Sequence, residues 1–109
     1  MTVVVFGPEF KTINEDLVPS SGEAMMQAAE MDPPLVVVDL DGVEFFSSSF
    51  IEMLFRLWSR LNKREGRFAL ATLSPNCREI LEVTNLQRLW KVCPTRMEAI
   101  VWLKSPPAV

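Results

Sequence analysis

The sequence contains no histidine and no tyrosine, and it has only two cysteines among its 109 residues. Without histidine, a Ser-His-Asp triad, an imidazole general base and most zinc sites are excluded. Cys77 and Cys93 lie sixteen positions apart, outside any Cys-x-x-Cys pattern, so neither a zinc knuckle nor a thioredoxin-like redox pair is indicated. We therefore expect no metal and no cofactor, and any catalysis would have to use carboxylates, hydroxyls, lysines or a thiol.

Long hydrophobic runs and an excess of basic charge are also missing. No apolar run approaches the ~20 residues that a membrane-spanning helix requires. Met1 to Phe6 lack the basic start and cleavage site of a secretory signal, so we expect a cytoplasmic protein and no membrane partner. The net charge of −3 and a pI near 4.9 argue against nucleic acid as a partner. The local basic group from Arg56 to Arg67 is interpreted as a solvated helix face.

What is present suits one α/β domain over residues 1–109, with 103–109 as a loose tail. Hydrophobic residues make up 49% of the chain, enough for a continuous core. β-branched and apolar runs alternate with helix-forming segments, which predicts parallel crossovers onto one sheet. The predicted strands are Thr2–Phe6, Phe10–Ile13, Leu35–Leu40, Phe68–Leu73 and Lys91–Cys93. The predicted shorter helices are Glu23–Met31, a segment after Ser74-Pro75, and Met97–Leu103 after Thr95.

The longest predicted helix follows three consecutive serines. Ser49 and Glu52 have the spacing of a capping box, in which hydroxyl and carboxylate each accept from the other residue's backbone N–H. Gly66 is predicted to end the helix in a left-handed conformation. The buried stripe is predicted to consist of Phe50, Leu54, Leu57 and Leu61.

The segment from Val36 to Ser49, VVVDLDGVEFFSSS, resembles the signature of STAS domains. In that family a strand ends in an Asp-Leu-Ser-Gly-Val-like turn, and an Asp-Ser-Ser-Gly-like turn then opens a long amphipathic helix. The similarity continues in order and spacing through Gly66-Arg67-Phe68, Leu73-Ser74-Pro75, Leu89-Trp90 and Thr95, and it covers Leu35 to Leu103. The resemblance implies a mixed sheet of four to five strands with helices mainly on one face.

The resemblance also implies a non-enzymatic signalling function. Bacterial anti-sigma factor antagonists of this family bind a serine kinase anti-sigma factor, and phosphorylation of a serine in the helix-opening turn breaks that association. The kinase, not the antagonist, uses ATP. By position the phosphoacceptor is Ser48, Ser47 replaces the aspartate of the motif, and Phe50 replaces its glycine, where a partner backbone is expected to approach. The implied partner-binding turn comprises Asp39, Asp41, Gly42, Ser47, Ser48, Ser49 and Phe50.

Three other interpretations of the same segment stay open. The serines are equally explained as caps that satisfy helix N–H groups. The domain could be a constitutive scaffold or ligand-binding module without phosphorylation, with Phe45, Phe46 and Phe50 either exposed as an interface or buried in the core. Finally, Asp39 and Asp41 have the Asp-x-Asp spacing of haloacid-dehalogenase-type phosphatases, although no later pair of acidic residues completes a Mg²⁺ site.

Overall fold

The computed structural model describes residues 1–6, 12–13 and 18–104. The strands are β1 (Thr2–Val5), β2 (Thr12–Ile13), β3 (Leu35–Asp39), β4 (Phe45–Phe46), β5 (Arg67–Ala71) and β6 (Lys91–Cys93). The helices are α1 (Val18–Ala29), α2 (Ser48–Lys63), α3 (Pro75–Val83) and α4 (Arg96–Lys104), with a 3₁₀ turn at Leu86–Arg88. Within the part of the chain that is described, no helix is long and apolar enough to cross a membrane.

One sheet organises the fold. Its four strands lie in the order β1-β3-β5-β6 and every pairing is parallel, while β2 and β4 form a separate parallel pair. The central strand β3 is apolar because both of its faces are covered by helices: Val36, Val37 and Val38 are fully buried. The predicted α/β class is confirmed. Of the second predicted strand, Phe10 and Lys11 lie outside the described residues.

The two faces of the sheet carry unequal cores. Val36 and Val38 point into the larger cluster, which also contains apolar residues of α1, α2 and α3. Val37 points the other way, into a smaller cluster with Ala99 and Leu103 of α4. This alternation follows the two-residue period of a strand. Three helices therefore cover one face and one helix the other, as the prediction of helices mainly on one face required.

The predicted buried stripe of α2 is confirmed, but its predicted start is wrong. Phe50, Leu54, Leu57 and Leu61 have no exposed surface. The helix begins at Ser48 with Ser47 as N-cap, so Ser49 lies inside the first turn and cannot form the capping box expected with Glu52. The backbone carbonyl of Ser47 accepts from the N–H groups of Phe50 and Ile51 at 3.1 and 3.3 Å. The N-cap position is thus occupied by Ser47, two residues before the expected Ser49.

Helix α1 begins at Val18, five residues before the predicted start at Glu23, and ends at Ala29. Pro19 is tolerated because it lies in the first turn, where a missing N–H breaks no intrahelical bond. A Cβ at Gly22 would meet the terminal methyl of the Met53 side chain of α2, which is flexible and can move. Helices α1 and α2 therefore lie close together at Gly22, although this contact alone does not require glycine there.

The residue that ends α2 in the left-handed region is Glu65, with φ 58°, and not Gly66 as predicted. Gly66 instead donates its N–H to the Leu61 carbonyl at 2.7 Å. A Cβ at Gly66 would overlap the backbone carbonyl of Pro34. Glycine is therefore required there because the chain leading into β3 passes too close for a side chain.

The basic group on α2 is partly structural. Arg60 pairs with Glu30 at 2.8 Å, and Arg64 donates to the Met31 carbonyl at 3.0 Å and pairs with Asp32. These bonds tie the end of α2 to the connection between α1 and β3. Arg67 belongs to β5 and not to the helix face on which it was predicted.

Two predicted helix starts are confirmed. The Ser74 hydroxyl accepts from the Cys77 N–H at 3.2 Å with Pro75 as the first helical residue, and the Thr95 hydroxyl accepts from the Glu98 N–H at 3.2 Å. Helix α4 continues to Lys104, so Leu103, which was expected to start the loose tail, is buried in the core. Residues 105–109 of that tail lie outside the described residues.

Candidate functional site

The candidate site is the segment that leaves the carboxyl end of β3 and enters α2. We call residues 40–49 the serine loop. It contains the short strand β4, and its first residues are held by two backbone bonds. The Leu40 N–H donates to the Ala71 carbonyl of β5 at 2.9 Å, and the Val43 N–H closes a turn onto the Leu40 carbonyl at 3.0 Å. Gly42 in that turn has φ 86°, a conformation that favours glycine.

Asp39 is the only buried charged side chain among the described residues, with 3% of its surface exposed. Its Oδ1 accepts from the backbone N–H of Asp41 at 3.0 Å, and its Oδ2 accepts from Nε of Arg96 at 2.7 Å. Because Arg96 is the first residue of α4, this carboxylate connects the serine loop to a helix on the opposite face of the sheet. Asp39 therefore stabilises the conformation of the loop from inside the protein and is not accessible to a partner.

Helix α3 fixes the middle of the loop. The Ser74 hydroxyl donates to the Glu44 carbonyl at 3.0 Å, and the Cys77 thiol lies 3.7 Å from the Val43 carbonyl in hydrogen-bonding geometry. Burial raises the pKa of the Cys77 thiol, and the hydrogen bond with Ser74 acts in the opposite direction. The thiol therefore acts here as a small buried donor, as expected for a core cysteine.

The three serines occupy different environments. Ser47 is the N-cap residue, but its hydroxyl makes no cap bond, and Oγ is buried with no hydrogen-bond partner in the described part of the chain. Ser48 is exposed at the first residue of α2, whereas Ser49 is half-buried. Capping by side-chain hydroxyls thus does not account for Ser47. Ser48 is the serine of this group that an enzyme can reach most readily.

The phenylalanines around the serines divide between core and surface. Phe50 is fully buried, with its ring centroid 5.9 Å from that of Phe6 and 5.2 Å from that of Phe46. Of the two alternatives left open for Phe50, exposed at an interface or buried in the core, the structure supports the core, because its ring points inward. Phe45 is 46% exposed and lies beside Ile80 and Val83 of α3, so one of the three phenylalanines contributes to an accessible apolar surface.

The structure does not assemble the Asp-x-Asp pair as a phosphatase site. Both carboxylate oxygens of Asp39 are engaged, by Arg96 and by the N–H of Asp41, while Asp41 is exposed. Across the described residues there is no group of three or more histidine, cysteine, aspartate or glutamate side chains that could hold a metal ion.

Sequence reasoning missed Arg96, Ser74 and Cys77 as partners of the loop. Arg96 is 57 positions from Asp39, and no local pattern marks it. Ser74 was identified as a cap but not as a donor to the Glu44 carbonyl, because Glu44 is 30 positions away and no local pattern marks the contact. These contacts depend on the sheet register, which brings the connections after β3, β5 and β6 to one edge.

Comparison with known proteins places this geometry in a family. The sequence model of the STAS domain matches residues 10–99. A STAS-domain-containing protein of Pseudomonas aeruginosa is 33% identical over 60 residues, which are 55% of this chain and 59% of that protein. The chain thus aligns with less than two thirds of the curated relative that it matches.

Solved structures agree with this assignment. An anti-sigma-factor antagonist (STAS) domain protein from Planctomyces limnophilus superposes with a TM-score of 0.88 at 37% identity, over 94% of this chain and 90% of that one. An anti-sigma factor antagonist from Mycobacterium paratuberculosis gives 0.77 at 25% identity, over 86% and 80% of the two chains. A sulfate transporter family protein from Wolinella succinogenes gives 0.75 at 13% identity, over 94% and 84%, and shares the fold alone. The parallel sheet, the serine loop and the matched segment together show that this chain belongs to the STAS domain family.

Proposed function

We propose that this STAS domain is a bacterial, cytoplasmic signalling module that regulates transcription by binding a serine kinase anti-sigma factor through the serine loop. In this proposal the domain performs no catalysis, and phosphorylation of Ser48 by the ATP-using partner ends the association. The observation that carries it is the placement of Ser48, which is exposed at the first residue of α2 in a loop whose backbone is held by β5, α3 and Asp39. The similarity to the Planctomyces limnophilus antagonist supports it.

A phosphate at Ser48 would suit the domain itself. The first residues of a helix carry N–H groups without intrahelical partners, and the helix dipole favours an anion there. Phosphoserine brings about −1.5 to −2 charges and three acceptor oxygens. The modified loop is therefore expected to keep its fold while its electrostatic surface changes.

The partner would meet a changed surface. Asp41 and Glu44 are exposed in the same loop, so a phosphate adds to charge that is already negative. Covering the loop would then require removing water from several negative groups at once, which opposes binding. Phosphorylation thus acts on the association and leaves the fold intact.

Only some residues of the candidate site are accessible at the surface. Asp39 and Phe50 are buried, so their part is to position the loop. The residues available for contact are Asp41, Gly42, Glu44, Phe45 and Ser48. Phe45 supplies an exposed apolar side chain three positions before Ser48 in the same loop, which suits a partner that both binds and modifies the loop.

A binding comparison tests the proposal. The wild-type chain and the variants Ser48→Glu and Ser59→Glu are immobilised and exposed to a lysate of the source organism, and captured proteins are identified and quantified by mass spectrometry. Ser59 is an exposed serine on the same helix and serves as the matched control. The proposal expects a kinase captured by wild type and by Ser59→Glu and lost with Ser48→Glu. Equal capture by all three would favour a constitutive scaffold.

A further inference from the structure

Strand β6 forms one edge of the four-stranded sheet, because β5 is its only neighbour among the described residues. The carbonyl of Cys93 accepts from the N–H of Thr72, directly after β5, at 3.2 Å. In a strand the N–H and C=O of one residue point to the same side, and those of the next residue point to the other side. The N–H and C=O of Val92 therefore point away from β5, toward the open edge.

Exposed apolar side chains lie beside this edge, on the face of the sheet that carries α4. Met97 and Val101, one turn apart on α4, are 67% and 58% exposed, and both line a groove along β6. Cys93 of β6 is buried on the same face, in the smaller core cluster. Large exposed apolar side chains next to an open sheet edge are typical of an interaction surface.

The same groove contains one charge of each sign. Lys91 and Glu98 both line it, and both are exposed. Within the described part of the chain, no ion pair joins these two side chains to each other or to other residues. Nζ of Lys91 lies 5.9 Å from the ring centroid of Trp102, a contact that leaves its N–H groups available to an acceptor. The groove is therefore complementary in charge to a second copy of itself.

We propose that the chain forms a two-fold dimer in which β6 pairs antiparallel with β6 of a second copy, centred on Val92. The two Val92 residues exchange both of their N–H···O bonds across the axis. Lys91 then lies opposite Cys93 of the second copy, whose thiol is close enough to Glu98 for that carboxylate to affect its charge. Lys91 of each copy thus pairs with Glu98 of the other. The exposed apolar side chains of the two α4 helices meet on one face of the joined sheet.

The pairing ends with this dimer. Strand β6 has three residues, and Pro94 directly after it has no N–H to donate, so the edge offers few backbone bonds. A two-fold contact also uses the same surface on both copies and is therefore closed. Most of the affinity must come from side chains over a small area, so we expect a Kd on the order of 10 µM.

Sedimentation velocity over a concentration series measures the dimer. Lys91→Glu and Glu98→Lys each place like charges opposite each other across the axis, and each should weaken dimerisation at least about tenfold. An equimolar mixture of the two variants should dimerise about as tightly as wild type, because a mixed dimer regains both ion pairs. Lys63→Glu, at an exposed lysine of α2 outside the groove, is the control and should match wild type. Circular dichroism verifies that each variant is folded.

A second pair of variants tests the apolar part of the surface. Met97→Ser should weaken dimerisation about tenfold, whereas Met31→Ser, at an exposed methionine outside the groove, should not. The proposal is overturned if wild type stays monomeric at roughly 1 mM, if the charge reversals leave the dimer unchanged, if their mixture stays monomeric, or if Met97→Ser matches Met31→Ser. The serine loop follows β3, two strands away from β6, so these outcomes are independent of the proposed function.

Discussion

Nε of Arg96 donates to Oδ2 of Asp39 across 2.7 Å, and this ion pair joins the start of α4 to the end of β3. Asp39 is buried and Arg96 is 48% exposed, so the pair reaches from the core to the surface. Because the other carboxylate oxygen accepts from the Asp41 N–H, the conformation of the serine loop is tied to a residue on a distant segment. The pair is thus a structural support for the candidate site.

Loss of Arg96 should therefore destabilise the protein. We expect Arg96→Gln to lower the free energy of unfolding by about 1–3 kcal/mol, because a buried carboxylate loses its charged partner. Urea unfolding measures this. Arg88→Gln, at an exposed arginine on the 3₁₀ turn, is the control and should cost less than about 0.5 kcal/mol. If the two variants were equally stable, the ion pair would contribute nothing.

Gly66 should tolerate no side chain. We expect Gly66→Ala to cost more than about 2 kcal/mol, because its Cβ would meet the Pro34 carbonyl and the backbone there has little room to move. Glu65→Gly tests the neighbouring residue. It should be neutral or stabilising by up to about 1 kcal/mol, since glycine adopts the left-handed conformation without steric cost. The reverse order of effects would show that Gly66, as first predicted, is the left-handed residue.

The buried thiols should make stability fall in mild alkali. Burial raises the pKa of the Cys77 thiol, against the lowering effect of the Ser74 hydrogen bond. Burial also raises the pKa of the Cys93 thiol, with Lys91 lowering it and Glu98 raising it. Above the ordinary thiol pKa of about 8.5 the unfolded chain ionises first, so stability is lost as pH rises from there through the folded values.

The chain offers a clean window for this measurement because it lacks histidine and tyrosine, so the thiols dominate titration between roughly pH 8 and 9.5. Urea unfolding across this window should show a decline in wild type that is reduced in the Cys77→Ala/Cys93→Ala variant. Thiol labelling at pH 7 should be slow in the folded protein and fast in urea. Parallel pH profiles for wild type and variant would contradict the assignment of this effect to the thiols.

A negative charge at position 48 should leave the domain folded and slightly more stable. Ser48 is the first residue of α2, where the helix dipole favours an anion. Ser48→Asp should therefore raise the free energy of unfolding by about 0.3–1 kcal/mol at low ionic strength. Ser59→Asp lies in the interior of the helix and should give no gain. Thermal unfolding of both variants checks this. Destabilisation by Ser48→Asp alone would mean that phosphate at this position disrupts the loop itself.

The sequence predicted the elements of the fold because their periodicities are local. The β-branched run of β3 and the apolar stripe of α2 are both confirmed. The role of Gly66 could not be predicted, since it depends on the distant backbone of Pro34. The start of α2 was misplaced because three consecutive serines offer three similar N-cap candidates. Thr95 forms the hydroxyl cap to the Glu98 N–H that its spacing predicts, whereas Ser49 is not the N-cap of α2, because that helix begins at Ser48.

The sequence could predict which segment forms the candidate site, but not which of its side chains are buried or which distant residues they contact. The signature residues do lie in one loop, yet alternation along the chain could not separate the buried Phe50 from the exposed Phe45. Nor could it pair Asp39 with Arg96, because that contact arises only when β3, β5 and β6 align in register.

The most direct test of the account is to map phosphate on the chain purified from cells of the source organism. Phosphopeptide mass spectrometry distinguishes Ser47, Ser48 and Ser49, and the same sample is compared for kinase bound to the modified and unmodified forms. The account predicts phosphate on Ser48, with the kinase associated only with the unmodified form. Phosphate confined to Ser47 or Ser49, or a kinase that stays bound to the Ser48-phosphorylated chain, would contradict it.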